Sequence, residues 1–262
     1  MAYETILYER KDRIVYITLN RPHILNAMND TMAEELSDAF FEFDADPEAW
    51  VAIVSGQGRA FSSGADVKQR QLRPREELVR FGSPAGRRAG GADGSLGRSV
   101  NWKPVIAAVH GYVLGAGYAL AMECDLIVAA TGTRFQIREV QRGLGGATHW
   151  VSTWFWTGNR FANEVAITGR MFTAEEALQH GMVNRAVPQD QVISTAEELA
   201  EQICQNPPLS VRGTVRVTRW YVRDMLRQAA LYSQGLKLHL TEDFHESALA
   251  FVEKRQPVFH GR

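Results

Sequence analysis

Hydrophobic positions near the N-terminus alternate with polar ones. Residues 3–9 and 13–19 read as two strands, with Arg10-Lys11-Asp12 as the turn between them. The period then changes. Over 29–44, Met32, Leu36, Ala39, Phe40 and Phe43 recur on one helical face, and Thr31 with Glu34 fits a capping box. Two unbroken apolar runs follow, Trp50 to Ser55 and Val105 to Val109, of the kind found in strands buried on both faces. Each leads into a glycine-bearing loop, G-Q-G-R-A-F-S-S-G-A-D-V-K at 56–68 and H-G-Y-V-L-G-A-G at 110–117. From Pro104 to Met122 there is no Asp, Glu, Lys or Arg, a span long enough for a membrane helix. Pro104 at its start and Gly111, Gly115 and Gly117 within it favour strand, turn and helix instead, with Tyr118 to Met122 helical. Such a turn presents backbone N–H groups at the positive end of a helix, which suits an oxygen that becomes anionic.

The segment 70–101 breaks the pattern. It contains R-P-R-E-E and then F-G-S-P-A-G-R-R-A-G-G-A-D-G-S, and apolar periodicity stops after Phe81. It reads as a mobile surface loop or as a cover over a site. From about 146 onward the pattern is mostly helical, with helices expected at 160–168, 173–180, 191–205 and 209–254, the last in at least two pieces. Strand–helix alternation through 130 points to an α/β organisation with a largely parallel sheet. No internal repeat is visible.

Composition narrows the function classes. The chain has 262 residues, 45% hydrophobic and 23% charged, with a net charge of −1. That is an ordinary globular balance and argues against a nucleic-acid surface. Cys124 and Cys204 form no metal or disulfide pattern, which fits a reducing compartment. The N-terminus carries early acids and no apolar core of a secretion signal, so a cytoplasmic location is expected.

Eight pieces occur in one order. They are I-T-L-N-R-P at 17–22 with Asn26-Ala27, A-F-S-S-G-A-D-V-K at 60–68, K-P-V-I-A-A-V-H-G-Y-V-L-G-A-G at 103–117, and C-D at 124–125. They continue with F-Q-I-R-E at 135–139, Thr168-Gly169, A-x-x-x-G-M-V-N at 177–184 and E-K-R-Q-P-V-F at 253–259. Over nearly the whole chain this set resembles the crotonase, or enoyl-CoA hydratase/isomerase, superfamily. The resemblance implies a crotonase-like ββα spiral core over 1–200 and a C-terminal helical trimerisation region over 201–262. It implies a homotrimer or a dimer of trimers, with the C-terminal helices packed on a neighbouring subunit. The implied substrate is an acyl-CoA thioester, with no separate cofactor, metal, nucleic acid or membrane partner.

By resemblance, the backbone N–H groups of Ala65 and Ala116 form an oxyanion hole beside Gly115, and Glu139 is the main acid/base. Asp66, Val67 and Lys68 would bind coenzyme A, with Lys254 and Phe259 completing that site from a neighbouring subunit. The segment 70–101 would border the acyl pocket. On the residues alone, Glu139 could equally be a surface acid paired with Arg138 or Arg142, and the two glycine loops could be plain tight turns.

Two departures bear on the reaction. Ala119 stands where hydratases of the superfamily carry a second Glu, so single-acid, isomerase-type chemistry is favoured over conventional hydration. Glu123, one turn further along the helix, reads as a structural ion-pairing residue rather than a substitute. After Glu139 the run R-G-L-G-G-A-T-H-W-V-S-T-W-F-W-T-G is one residue short and unusually aromatic. Its rings read mainly as helix packing, with one or two lining a pocket for a bulky acyl group, and His149 is an additional acid/base candidate. The alternatives are a conventional hydratase with a substitute second acid, and a non-catalytic acyl-CoA-binding protein. A dinucleotide-binding dehydrogenase lacks the third glycine after Gly115 and Gly117. A serine hydrolase using Ser62 or Ser63 lacks the nucleophile elbow.

Overall fold

The computed structural model of the chain describes residues 3–81, 96 and 99–262. Half of the expected loop or cover at 70–101, residues 82–95 and 97–98, lies outside the described residues. In chain order the elements begin with β1 (Ile6–Lys11), β2 (Ile14–Leu19), α1 (Asp30–Ala45), β3 (Val51–Gly56), α2 (Val67–Arg70), α3 (Arg75–Phe81) and β4 (Val105–Val109). Then come β5 (Tyr112–Leu114), α4 (Ala116–Glu123), β6 (Leu126–Ala130), β7 (Arg134–Gln136), α5 (Ala147–Thr157), α6 (Arg160–Thr168) and β8 (Phe172–Thr173). The last are α7 (Ala174–Gln179), β9 (Arg185–Val187), α8 (Val192–Cys204), α9 (Pro208–Gln234) and α10 (Glu242–Glu253).

Six strands form the main sheet in the order β1-β2-β3-β4-β6-β9. Only β1 and β2 are antiparallel, and the rest run parallel. The hairpin turns at Asp12, whose φ of 50° is left-handed, so the turn falls slightly later than the charged triplet suggested. Both faces of the sheet centre are covered, which is why β3 and β4 read as continuous apolar runs. On one face, Val192, Ala196 and Ala200 of α8 pack on Ile53, Ile106, Ala108 and Val128. On the other, Ala52, Val54, Val105 and Ala107 meet the buried face of α1 and the residues Tyr118, Phe135 and Phe172.

The helix α1 has the expected core face, but its cap is Asn29, whose side chain accepts a 2.9 Å hydrogen bond from Met32 N. Thr31 and Glu34 are therefore inside the helix and form no capping box. The uncharged run from 104 to 122 is spent on β4, β5 and α4, and no helix among the described residues is long and apolar enough to cross a membrane.

A second sheet, order β5-β7-β8, stands beside the first. Its strands have two or three residues each, too short for period-two reading. The helix α9 packs along α5 and is tied to the main sheet by an ion pair between Arg219 and Asp125. Asp125 also accepts Val105 N at 2.7 Å. The boundary expected at 200 falls inside α8. α10 folds back onto its own chain, where Phe244 is 1% exposed and packs beside Gly143.

Candidate active site

The first glycine loop is held by Asn26. This buried side chain donates to Gln57 O at 2.9 Å and Ala60 O at 2.8 Å, and accepts from Arg21 N at 2.8 Å. Ser62 Oγ donates to Asn26 O at 2.8 Å and accepts from Gly64 N at 3.1 Å. The strand-like edges of the loop are spoken for as well. Met28 N donates to Gly64 O at 2.8 Å and Asp66 N to Met28 O at 2.9 Å, while Leu114 N donates to Ser62 O at 3.1 Å. The second loop is thereby laced to the first. A methyl group on Gly64 would lie 3.6 Å from Ala116 N, and one on Gly117 would collide with Ser62 at 2.5 Å. Among the described residues, no hydrogen bond is made by the N–H of Ala65 or of Ala116. The two N–H groups thus lie on adjoining backbone segments, in residues that are each half-buried.

Glu139 follows β7 and opens a 3-10 turn, Val140–Arg142. Its carboxylate faces the second loop: a methyl group on Gly115 would sit 3.4 Å from Glu139 Oε1. It forms no ion pair with Arg138 or Arg142, so the surface-acid alternative does not describe it. His149, in the first turn of α5, brings Nε2 to 3.1 Å from Glu139 Oε1. The two atoms are at ion-pair distance but not aligned for a hydrogen bond, and His149 Nε2 and the other carboxylate oxygen, Glu139 Oε2, are both buried without a hydrogen-bond partner. Two groups able to exchange protons therefore face each other with spare valence.

The imidazole is held in place from behind. Its ring stacks on Tyr118 with centroids 6.1 Å apart, and its backbone carbonyl accepts Thr153 Oγ1 at 2.7 Å and Ser152 Oγ at 3.0 Å. Tyr118 is fully buried against Phe135 and Phe172 and is hydrogen-bonded to Thr153 Oγ1. Burial pushes the ionisation of its hydroxyl well up, so it remains a neutral support.

A cavity of about 1610 Å³ runs past Gly115, Ala116, Ala119, Glu139 and His149 and extends to Asp66, Val67 and Lys68. Ala65 opens onto the same space. Asp66 caps α2 and lies 3.3 Å from Arg21 Nη1, and Lys68 is exposed. Glu123 reaches the cavity wall but accepts Leu96 N at 3.2 Å. Lys254 and Phe259 do not line this cavity; Phe251 of α10 does, packed on the same chain. Sequence reasoning missed Phe251, because a helix that folds back leaves no local signal of where its face lands. Trp156 is the aromatic of α5 that reaches the cavity beside His149, whereas Trp150 and Trp154 stack on each other. Among the described residues, no group of three or more His, Cys, Asp or Glu side chains is placed to hold a metal ion.

A largely parallel sheet core, two laced glycine loops in which the Ala65 and Ala116 N–H groups make no hydrogen bond among the described residues, and the Glu139 carboxylate thus meet at one cavity. Known proteins agree on the family. A family model described as enoyl-CoA hydratase/isomerase matches residues 9–262. The mevalonyl-coenzyme A hydratase of Aspergillus fumigatus is 37% identical over 93% of this chain and 90% of its own. The carnitinyl-CoA dehydratase of Escherichia coli is 34% identical over 99% of each chain. A crystal structure of carnitinyl-CoA hydratase from Mycobacterium avium superposes with a TM-score of 0.84 at 32% identity, over 100% of both chains. The chain belongs to the enoyl-CoA hydratase/isomerase family, whose enzymes act on acyl-CoA thioesters. These relatives are named for adding or removing water and do not confirm the isomerase-type preference expected from Ala119.

Proposed function

We propose that the chain moves a proton between carbons of an acyl-CoA thioester through an enolate, with Glu139 as the single carboxylate acid/base. The supporting observation is geometric: the carboxylate faces Gly115, beside the unengaged N–H groups of Ala65 and Ala116. Glu139 takes a proton from the α-carbon, and the electron pair moves onto the thioester oxygen. The two N–H groups hold that oxygen as its charge grows, a contribution worth about 2.7–4 kcal/mol per donor. Return of the proton to the γ-carbon shifts the double bond, and return to the α-carbon exchanges it. Coenzyme A enters as part of the substrate, along Asp66, Val67 and Lys68, so the reaction needs no separate cofactor or metal. In a homotrimer or dimer of trimers, Lys254 and Phe259 would approach the coenzyme A of a neighbouring subunit.

One observation favours a second reading. His149 is 3.1 Å from Glu139, and a carboxylate–imidazole pair could handle the two protons of hydration or dehydration in place of the second Glu. The names of the hydratase and dehydratase relatives support the same reading.

The test follows acyl-CoA thioesters in deuterated water. On the first reading, α- or γ-proton exchange outpaces hydration of crotonyl-CoA, and Glu139→Gln lowers exchange by roughly 10²–10⁴ while binding persists. Near-normal exchange in that variant removes Glu139 from the role. Crotonyl-CoA hydration by the native protein as fast as its proton exchange, abolished by His149→Phe, establishes the second reading instead.

A further inference from the structure

Two arginines flank Glu139 on the cavity wall, and among the described residues neither forms an ion pair with an acid. Arg138 precedes the carboxylate and Arg142 follows it by three residues, and both line the cavity. Arg142 is 8% exposed, and its Nη1 donates to Ser247 O at 3.1 Å. Arg138 is half-buried; its Nε is shielded from solvent and has no hydrogen-bond partner. Both guanidinium groups lean on one ring, Phe251, at 4.1 Å for Arg142 and 5.9 Å for Arg138.

This arrangement is electrostatically unbalanced. Burial lowers the pKa of both arginines, and the charge of Arg138 helps push Arg142 down to about 10. A cation over an aromatic ring recovers only a small part of that cost. The one acid whose charge favours Arg138 is Glu139, which makes no ion pair with it. Buried cations are normally matched by an anion, and a guanidinium is matched best by a planar carboxylate that takes two parallel hydrogen bonds.

We propose that Arg138, backed by Arg142 and Phe251, binds a carboxylate carried by the acyl group, so that the preferred substrates are coenzyme A thioesters of dicarboxylic acids. The proposal rests on the acyl-CoA reading given above. Its position separates it from recognition of coenzyme A phosphates. Arg138 immediately precedes Glu139 and lines the same cavity, and Glu139 faces the loop where the acyl-CoA reading puts the reacting carbon. A charge bound there belongs to the acyl side of the thioester. The phosphates lie a full pantetheine arm away.

The experiment is calorimetric binding to the full chain of three length-matched pairs: malonyl- with propionyl-CoA, succinyl- with butyryl-CoA, and glutaryl- with valeryl-CoA. Free coenzyme A is the reference. At least one dicarboxylic member should bind about tenfold or more tightly than its neutral partner, the size of a charge-assisted contact. Arg138→Met should erase that preference while the Kd for the neutral partner and for coenzyme A stays within about twofold, and Arg138→Lys should keep part of it. Retained affinity for the neutral partner also shows that the variant is folded. If Arg138→Met does not fold, loss of the preference in Arg138→Gln against its partial retention in Arg138→Lys decides. Tight binding without a preference in any pair overturns the proposal and leaves the acyl-CoA reading intact. Equal weakening of all ligands by Arg138→Met reassigns the arginine to a phosphate and also overturns it. Failure of the native protein to bind any thioester would remove the acyl-CoA reading and this proposal together.

Discussion

Replacing Gly115 with alanine tests the site where the second glycine loop faces Glu139. Gly115 has φ 49° and ψ −116°, a region that residues with a side chain rarely enter. Holding alanine there costs about 1–3 kcal/mol, or roughly 2–12 °C in Tm for a chain of this size. The added methyl would lie 3.4 Å from Glu139 Oε1, in ordinary contact, so sterics within the free protein add little. Its effect on a bound thioester is larger, because it fills the gap between the loop and the carboxylate. A displacement of about 1 Å at the reacting carbon can cost roughly 10²-fold in rate. Gly132→Ala is the matched control. It has φ 75°, and a methyl there meets nothing within 4 Å, so it carries backbone strain far from Glu139. The assay pairs thermal melting with proton exchange of an acyl-CoA in deuterated water. Both variants should melt earlier, and only Gly115→Ala should lose about two orders of magnitude in exchange. Equal exchange rates in the two variants would refute the placement of substrate between this loop and Glu139.

Two further outcomes follow from groups outside the reaction. Lys103 is 2% exposed, with Nζ donating to Phe43 O at 2.8 Å and to Asp46 O, and burial together with Arg212 pushes its pKa down to about 8. An unfolded lysine titrates near 10.4, so between those values the unfolded chain holds the extra proton and stability rises with pH. Urea unfolding at about pH 7.5 and 9.5 should show a gain of roughly 1–3 kcal/mol relative to Lys103→Met, and no relative gain contradicts the burial argument. Phe244→Ala should cost about 3–5 kcal/mol and free α10, seen as faster hydrogen exchange over 242–253 with β4 still protected. Unchanged protection of α10 would mean that its docking does not depend on that ring.

Four of the six main-sheet strands were legible in the sequence, β1 and β2 because their hydrophobic positions alternate, β3 and β4 because strands buried on both faces must be apolar throughout. The core face of α1 was legible because five residues repeat at helical spacing. Its start was misjudged: Asn29 is the better acceptor at the position preceding the helix, and Thr31 merely lies within reach of the pattern. The second sheet was invisible, since strands of two or three residues carry no period. At the site, Ala65, Ala116 and Glu139 could be picked out through motif and register. The closeness of His149 could not, because it depends on how α5 lies against Tyr118. The two arginines around Glu139 looked like surface partners for an acid, and only their burial beside Phe251 shows that they lack one.

The small sheet has a mechanical consequence. Strands β5 and β7 are parallel neighbours with Leu114 opposite Gln136, and Gly115 N donates to Gln136 O at 3.0 Å. The Ala116 donor and Glu139 therefore extend from adjacent ends of one short ladder and move as a unit. Ala65 hangs from the main sheet and meets that unit through the bridge from Ser62 to Val113. A slight shear between the sheets would open or close the gap between the two donors while the spacing from Ala116 to the base stayed fixed. On the proposed reading, the grip on the oxygen and the reach to the carbon are thus separately adjustable lengths. Substitutions along the Ser62–Val113 seam could retune the first without disturbing the second.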